Sequence, residues 1–358
     1  MSPSETLDLL VDLLALPCVT GEEGPIADWL AARYAAEAVQ RVGHSLVVGE
    51  HDPERPSVLL VGHTDVVPPT EEDRVPRRVD GRVVGRGASD MKSGLAVAMA
   101  CFEDAALRAE SPYALRLVAY AGEEGPHDGN ELGDVLAACG ELAEADLAIV
   151  LEPTDLEVQL GCLGALNAHV TVAGRAAHAA RPWQGDSAVS RALPLLGDLA
   201  DLEPLDVDVD GLRYREVLSA TQVWTDNARN VIPPTLNLNL NYRFSPCRSV
   251  DEAIAHLTSI VDGRGQVRIV DAAPSALPHR SAPLVERFVA AAEAPVAPKQ
   301  AWTDVARFTS VGVPALNYGP GLTAQAHQAG EWVPEGNVAE ALAVLRAFLA
   351  GATASPRP

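Results

Sequence analysis

Short apolar runs alternate with helical periodicities along the first part of the chain. Leu7, Leu10, Val11 and Leu14 recur at helical spacing and predict a helix over residues 4–16, stopped by Pro17. Thr20 before Gly21-Glu22-Glu23 predicts an N-cap with acidic first-turn residues, and a second helix running to about Ala36. Residues 58–61 form a continuous apolar run, as expected of a strand buried on both faces. Residues 115–121 and 147–151 repeat that pattern, and residues 93–107 read as a helix. The alternation predicts an α/β domain with a mixed, largely parallel sheet covered by helices.

The pattern changes after Gly164. Residues 166–172 alternate, and Leu236-Asn237-Leu238-Asn239-Leu240-Asn241 alternates strictly. Period-two patterning marks strands with one wet face, typical of an antiparallel sheet. Helical segments near 187–202 and 250–261 lie among these strands. The expectation is an inserted α+β dimerisation or lid domain over 167–273, an antiparallel sheet plus two helices. It would interrupt a catalytic domain made of 1–166 and 274–358. Gly161-Cys162-Leu163-Gly164 and the proline-bearing stretch 273–278 are the expected hinges. Residues 351–358 read as a frayed tail.

Composition narrows the class. The chain has 358 residues, more than one ordinary core accommodates. Aromatics make up 4%, so the core must rest on Leu, Val and Ala. A net charge of -22 argues against nucleic acid or an anionic membrane as partner, since both need clustered Lys and Arg. No apolar stretch of about 20 residues predicts a membrane span, and no basic patch followed by an apolar run predicts a secretory signal. The five cysteines are scattered without a CxxC pair, so neither a disulfide framework nor a thiolate metal site is expected. The compartment reads as cytoplasm.

Polar residues placed against the strands point to chemistry. His63 and Asp65 follow the run ending at Val61, and Asp90 lies in Gly85-Arg86-Gly87-Ala88-Ser89-Asp90 just before a helix. Glu123 and Glu124 end the next strand, and Glu152 ends the one after. In open α/β sheets function collects at the carboxyl ends of strands. A solvated loop explains one such residue; it does not explain four strand ends delivering His and carboxylates to one edge. The donors are nitrogen and oxygen only, which suits Zn²⁺, with Co²⁺ or Mn²⁺ able to substitute at one site. Two ions about 3.5–4 Å apart need a shared anion, and Asp90 is the natural one.

Four runs carry a resemblance. They are Gly62-His63-Thr64-Asp65-Val66-Val67-Pro68, Gly85-Arg86-Gly87-Ala88-Ser89-Asp90-Met91-Lys92-Ser93-Gly94, Gly122-Glu123-Glu124-Gly125 and Glu152-Pro153. In this order they resemble the di-zinc M20 amidohydrolases and peptidases. That resemblance implies two Zn²⁺ ions, one held by His63 and Glu152, the other by Glu124 and His327, with Asp90 shared. It implies that Asp65 orients the free ring nitrogen of His63, that Glu123 is the general base, and that the Asp90–Met91 peptide is cis. His327 alone carries little signal; it gains from following Asn317-Tyr318-Gly319-Pro320-Gly321, a Gly-rich turn after an apolar strand.

The same resemblance bears on substrate and partner. His178, in Gly174-Arg175-Ala176-Ala177-His178, matches a histidine that reaches the neighbouring subunit's site in M20 dimers and stabilises an oxyanion, which implies a homodimer. Asn230 in Asn230-Val231-Ile232-Pro233 and Arg243 in Asn241-Tyr242-Arg243-Phe244 are similar to segments that hold a substrate carboxylate. A cross-strand ion pair competes as a reading of Arg243. Thr303, in the run from Trp302 to Phe308, and Gly319 and Gly321 are similar to substrate-contacting pieces of desuccinylases. With Tyr214-Arg215-Glu216 they incline the resemblance toward hydrolysis of N-succinyl-LL-2,6-diaminopimelate to succinate and LL-2,6-diaminopimelate, in lysine and cell-wall precursor synthesis. Many desuccinylases carry an arginine pair after the Glu-Pro motif; Gly161-Cys162-Leu163-Gly164-Ala165 has none. Deacetylase, aminoacylase and dipeptidase chemistry therefore stay open, with a small N-acyl amino acid as the substrate class. A non-catalytic binding protein on this scaffold would be expected to lose a ligand or the base, and all six positions are present.

Overall fold

In the computed structural model, which describes residues 1–351, the apolar runs become the centre of an eight-stranded sheet. The strand order is Val39–Val42, Ser45–Val48, Ala114–Tyr120, Ser57–His63, Leu147–Val150, Ala315–Asn317, Val158–Leu160 and Val296–Pro298. Ala114–Tyr120, Ser57–His63, Leu147–Val150 and Ala315–Asn317 run parallel, and every residue in them is buried. Burial on both faces is why these segments are continuously apolar rather than alternating. Helix Ser93–Phe102, buried at all its positions, packs on two of these strands and against helices Pro3–Ala15 and Glu335–Leu349. The tail expected from residue 351 lies, beyond that residue, outside the described part of the chain.

Two predicted helices differ from those observed. The second helix is Gly24–Arg33, with Pro25 in its first turn and no side-chain cap. Proline fits the first turn because it lacks the N–H that would be unsatisfied there. Thr20 is no cap: its hydroxyl donates to the Asp65 carboxylate at 3.0 Å. Residues 93–107 are split, because Asp104 adopts an extended conformation and its side chain accepts from the Leu107 amide at 3.2 Å. That starts a separate helix, Ala105–Glu110.

This first unit comprises Met1–Gly161, Pro278–Pro298 and the chain from Thr303 on. The second comprises Cys162–Leu277 with Lys299–Trp302. The sequence boundaries were 167 and 273, and the short return segment was not foreseen. Its attachment is polar: Gln300 Nε2 donates to the Arg213 carbonyl at 3.1 Å, and Trp302 Nε1 donates to the Pro274 carbonyl at 3.0 Å. Within this unit an antiparallel five-stranded sheet runs Leu205–Val209, Leu212–Trp224, Thr235–Phe244, Gly164–Ala173, Gln266–Ala273. Leu236, Leu238, Leu240, Tyr242 and Phe244 share a core with helices Ala188–Ala200 and Val250–Val261. The intervening residues carry polar groups on the other face, where Asn239 and Asn241 donate to Asn167 Oδ1 at 3.3 and 3.0 Å.

Candidate metal centre

His63 is the last residue of strand Ser57–His63 and is fully buried. Its Nδ1 lies 3.0 Å from the Asp65 carbonyl oxygen and 3.6 Å from the nearer carboxylate oxygen. A carbonyl can only accept, so Nδ1 carries the proton and Nε2 presents its lone pair. That lone pair faces Asp90 Oδ1 at 3.3 Å. Two acceptors held face to face call for a cation or a proton between them. On the other side of Asp90, Oδ2 lies 3.6 Å from His327 Nε2, which sits 2.8 Å from Glu124 Oε2. The two oxygens of Asp90 therefore address two different histidines.

Potential donor atoms fall into three overlapping groups, each within 4.8 Å: His63, Asp90 and Glu152; Asp90, Glu124 and His327; His63, Glu123 and Glu124. Asp90 is common to the first two. The strand ends thus bring together His63, Asp90, Glu123, Glu124, Glu152 and His327. An all-oxygen-and-nitrogen set with a shared carboxylate fits a pair of zinc-like dications. The Asp90–Met91 peptide is cis. His327 adopts a left-handed backbone conformation (φ 61°) and is half exposed, whereas His63 is enclosed. Its hydrogen bond to Glu124 is the main influence raising its pKa. Burial pushes the Glu123 carboxyl well above the usual range; His63 opposes this, and Glu152, Asp304 and Asp90 add to it.

Asp65 sits against the His63 ring and also braces the two glutamates. The Asp65 carbonyl, not its carboxylate, makes the close contact to the His63 ring. The carboxylate accepts from the amides of Glu123 and Glu124, both at 3.1 Å, and from Thr20. It therefore sets the backbone from which both glutamates project.

Thr303, Gly319 and Gly321, expected to contact substrate, also have structural partners. Thr303 is buried, and its hydroxyl donates to Asn317 Oδ1 at 2.9 Å. A Cβ on Gly319 would lie 2.5 Å from the backbone oxygens of Leu151 and Glu152, and one on Gly321 would overlap the Ser89 carbonyl oxygen. These glycines let the turn lie against the backbone that carries Glu152 and Asp90. In the second unit, His178 and Asn230 are neighbours: strand Ala177–His178 pairs with Val231–Ile232, and the Ala179 amide donates to the Asn230 carbonyl at 2.8 Å. The Ala180 amide donates to His178 Nδ1 at 3.1 Å, which places the ring proton on Nε2 of an exposed side chain. Arg243 lies in register between Val217 and Ala165, so the competing ion pair with a directly opposite residue does not form.

Two further acids, Asp304 and Glu331, are buried near the candidate ligands. Asp304 accepts from Tyr120 Oη at 2.7 Å, Asn130 Nδ2 at 2.9 Å and Arg307 Nε at 2.8 Å. The Tyr120 ring in turn stands edge-on to the His63 ring, with centroids 6.2 Å apart. Glu331 accepts from the loop that carries Asp90. Apart from Arg307, three residues after Asp304, the partners of both acids are distant in sequence.

Comparison with known proteins agrees with this geometry. Residues 59–351 match Peptidase family M20/M25/M40. A Corynebacterium glutamicum succinyl-diaminopimelate desuccinylase is 36% identical over 361 residues, covering 96% of this chain and 97% of its own. A Mycobacterium tuberculosis protein provisionally named as the same enzyme is 39% identical over 352 residues, covering 97% and 98%. Among solved structures, a Staphylococcus aureus tripeptidase superposes with TM-score 0.78 at 17% identity, over 98% of this chain and 99% of its own. The Bacillus subtilis YXEP protein, described as a dinuclear metal binding peptidase of family M20, superposes with TM-score 0.71 at 15% identity, over 98% of each chain. By its match over most of its length, and by relatives above 30% identity along nearly all of it, the chain belongs to peptidase family M20/M25/M40.

Proposed function

We propose that the chain is a cytoplasmic, homodimeric di-zinc desuccinylase that hydrolyses N-succinyl-LL-2,6-diaminopimelate to succinate and LL-2,6-diaminopimelate. The single observation that carries the metal reading is the shared Asp90, with one oxygen toward the His63 lone pair and the other toward His327. The substrate reading rests on the two full-length relatives bearing that activity in their names. A dipeptidase reading rests on fold likeness alone and is the weaker of the two.

His63, Asp90 and Glu152 would hold one ion; Asp90, Glu124 and His327 would hold the other. When bound, such a pair polarises the scissile carbonyl and acidifies water in the site. Glu123 stands beside the ligands without being needed by either histidine pair, and takes the role of base. Its carboxylate accepts the proton of the attacking water as the oxygen adds to the succinyl carbonyl. It then returns that proton to the amine nitrogen as the C–N bond breaks. Asp65 keeps Glu123 and Glu124 in place through their amides. His178 Nε2–H donates to the oxyanion formed in a neighbouring subunit, and Arg243 offers a two-pronged fork to a substrate carboxylate.

The test is an acyl-substrate panel on chelated and zinc-reloaded protein. Release of succinate from N-succinyl-LL-2,6-diaminopimelate, far above turnover of N-acetylornithine or simple dipeptides, is expected. A dipeptide hydrolysed with the succinyl compound untouched at every zinc loading overturns the desuccinylase reading. Glu123→Gln is expected to lower kcat about 10³-fold with zinc content preserved. Mixing His178→Ala with Glu123→Gln protein is expected to recover activity that neither has alone, since a mixed dimer holds one intact site.

A further inference from the structure

Glu331 is almost fully buried between His327 and the strand Trp332–Pro334. Its Oε1 accepts from the amides of Ser89 at 2.7 Å and Asp90 at 2.9 Å. Its Oε2 accepts from the Gly87 amide at 3.0 Å and from the Arg86 guanidinium at 2.8 Å. Arg86 also reaches Asp73 at 3.2 Å, and the same Asp73 oxygen accepts from the amides of Gly330 and Glu331 at 3.0 and 3.3 Å. The Gly85 amide donates to the Glu331 carbonyl at 2.9 Å, and beyond it strand Trp332–Pro334 pairs antiparallel with Arg82–Val84. The result is a closed circuit of two carboxylates, one guanidinium and a row of backbone amides.

A buried ion network of this kind is a poor device for stability. Well-packed apolar side chains of similar volume would serve as well or better. What hydrocarbon cannot do is aim two oxygens at the amides of Gly87, Ser89 and Asp90. Glu331 belongs to none of the metal-holding groups among the described residues, so any influence on the ions passes through neighbours. Two such neighbours matter. Asp90, whose amide Glu331 holds, supplies the carboxylate common to both ion groups, and His327 lies four positions before Glu331 on the same segment.

We propose that Glu331, supported by Arg86 and Asp73, is a positioning residue that clamps the Asp90 loop to the His327 segment and thereby sets the affinity of the Asp90–Glu124–His327 ion site. The proposal rests on the two-zinc reading above. The other ion group is less exposed to its loss, because His63 and Glu152 are anchored on strand ends while the backbone carrying His327 runs directly into Glu331.

Zinc titration calorimetry of the chelated full-length chain, joined with amide exchange of the apo protein, tests this. The wild type is expected to bind two zinc ions in separable steps. Glu331→Gln keeps the side-chain volume, and is expected to leave the tighter step within about threefold while weakening the other about 10–100-fold, the range typical of lost ligand support. In the same variant without metal, exchange across residues 87–90 is expected to quicken at least about tenfold as local opening becomes easier. Glu335→Gln, which removes an exposed partner of Arg78, serves as control and is expected to change neither. If Glu331→Gln binds both ions as the wild type does, or loses both equally, the clamp is refuted and the two-zinc reading stands. If the wild type does not bind two ions, that reading falls and the clamp with it.

Discussion

Asp65 spends its carboxylate mainly on backbone amides, while its nearer oxygen also lies 3.6 Å from His63 Nδ1. Both oxygens are occupied by N–H donors from Glu123 and Glu124, and Thr20 adds a third bond. An asparagine at this position would turn an NH₂ toward one of those amides, replacing an attraction with a clash of donors. Asp65→Asn is therefore expected to lower kcat about 10–100-fold while zinc stoichiometry stays at the wild-type value. Parallel measurement of kcat and metal content checks this, and unchanged kcat would show that the Glu123–Glu124 backbone holds its place unaided. The sequence placed Asp65 correctly beside His63 but could not show which of its oxygens the ring meets. A one-residue reading cannot separate a carbonyl from the carboxylate three bonds away.

Between elements, helix Ser93–Phe102 comes close to the end of strand Leu147–Val150. A Cβ on Gly94 would overlap the Leu151 carbonyl oxygen, a backbone atom that cannot swing away. Gly94→Ala is expected to cost about 1–3 kcal/mol in urea unfolding. Gly140→Ala, where nothing lies within 4 Å, is expected to be near neutral. The same crowding requires glycine at 319 and 321, where a Cβ would meet neighbouring backbone. The parallel strands, the alternating strand Thr235–Phe244 and helix Val250–Val261 were legible because burial imprints a period on the residues. The ligands at strand ends were legible because the fold sends those ends to one edge. Glu331 was not, since its donors come from residues 86–90, far along the chain. The segment Lys299–Trp302 was missed for a related reason: polar backbone contacts leave no periodic trace.

Across the whole molecule, the proposed metal ligands lie in one unit and the buried acid Glu216 in the other, so chelation should act on the first unit and loss of the Glu216 charge on the second. The proposed zinc ligands all lie in the first unit. Ligand that binds only the folded form adds stability of about 2.7 kcal/mol at a hundredfold excess over Kd, so chelation is expected to lower the thermal transition of that unit. The second unit has its own core and its own buried acid, Glu216, which accepts from Tyr242 Oη at 2.7 Å, Ser245 Oγ at 2.6 Å and Arg248 Nε at 3.0 Å. Burial works to raise the Glu216 pKa, but these donors outweigh it and hold the carboxyl below its ordinary value. A depressed folded-state pKa gives stability that is complete above the unfolded value of about 4.3 and is lost as pH falls through the lower folded value. Acid below about pH 4.3 is thus expected to lower the transition of the second unit. Glu216→Gln, expected to cost about 2 kcal/mol at neutral pH by weakening those bonds, should flatten that acid response and leave the chelator response intact. Calorimetric scans at pH 7 and at about pH 3, each with and without chelator, separate the two effects. A Glu216→Gln protein that keeps the wild-type acid sensitivity would move the titrating group elsewhere in the chain.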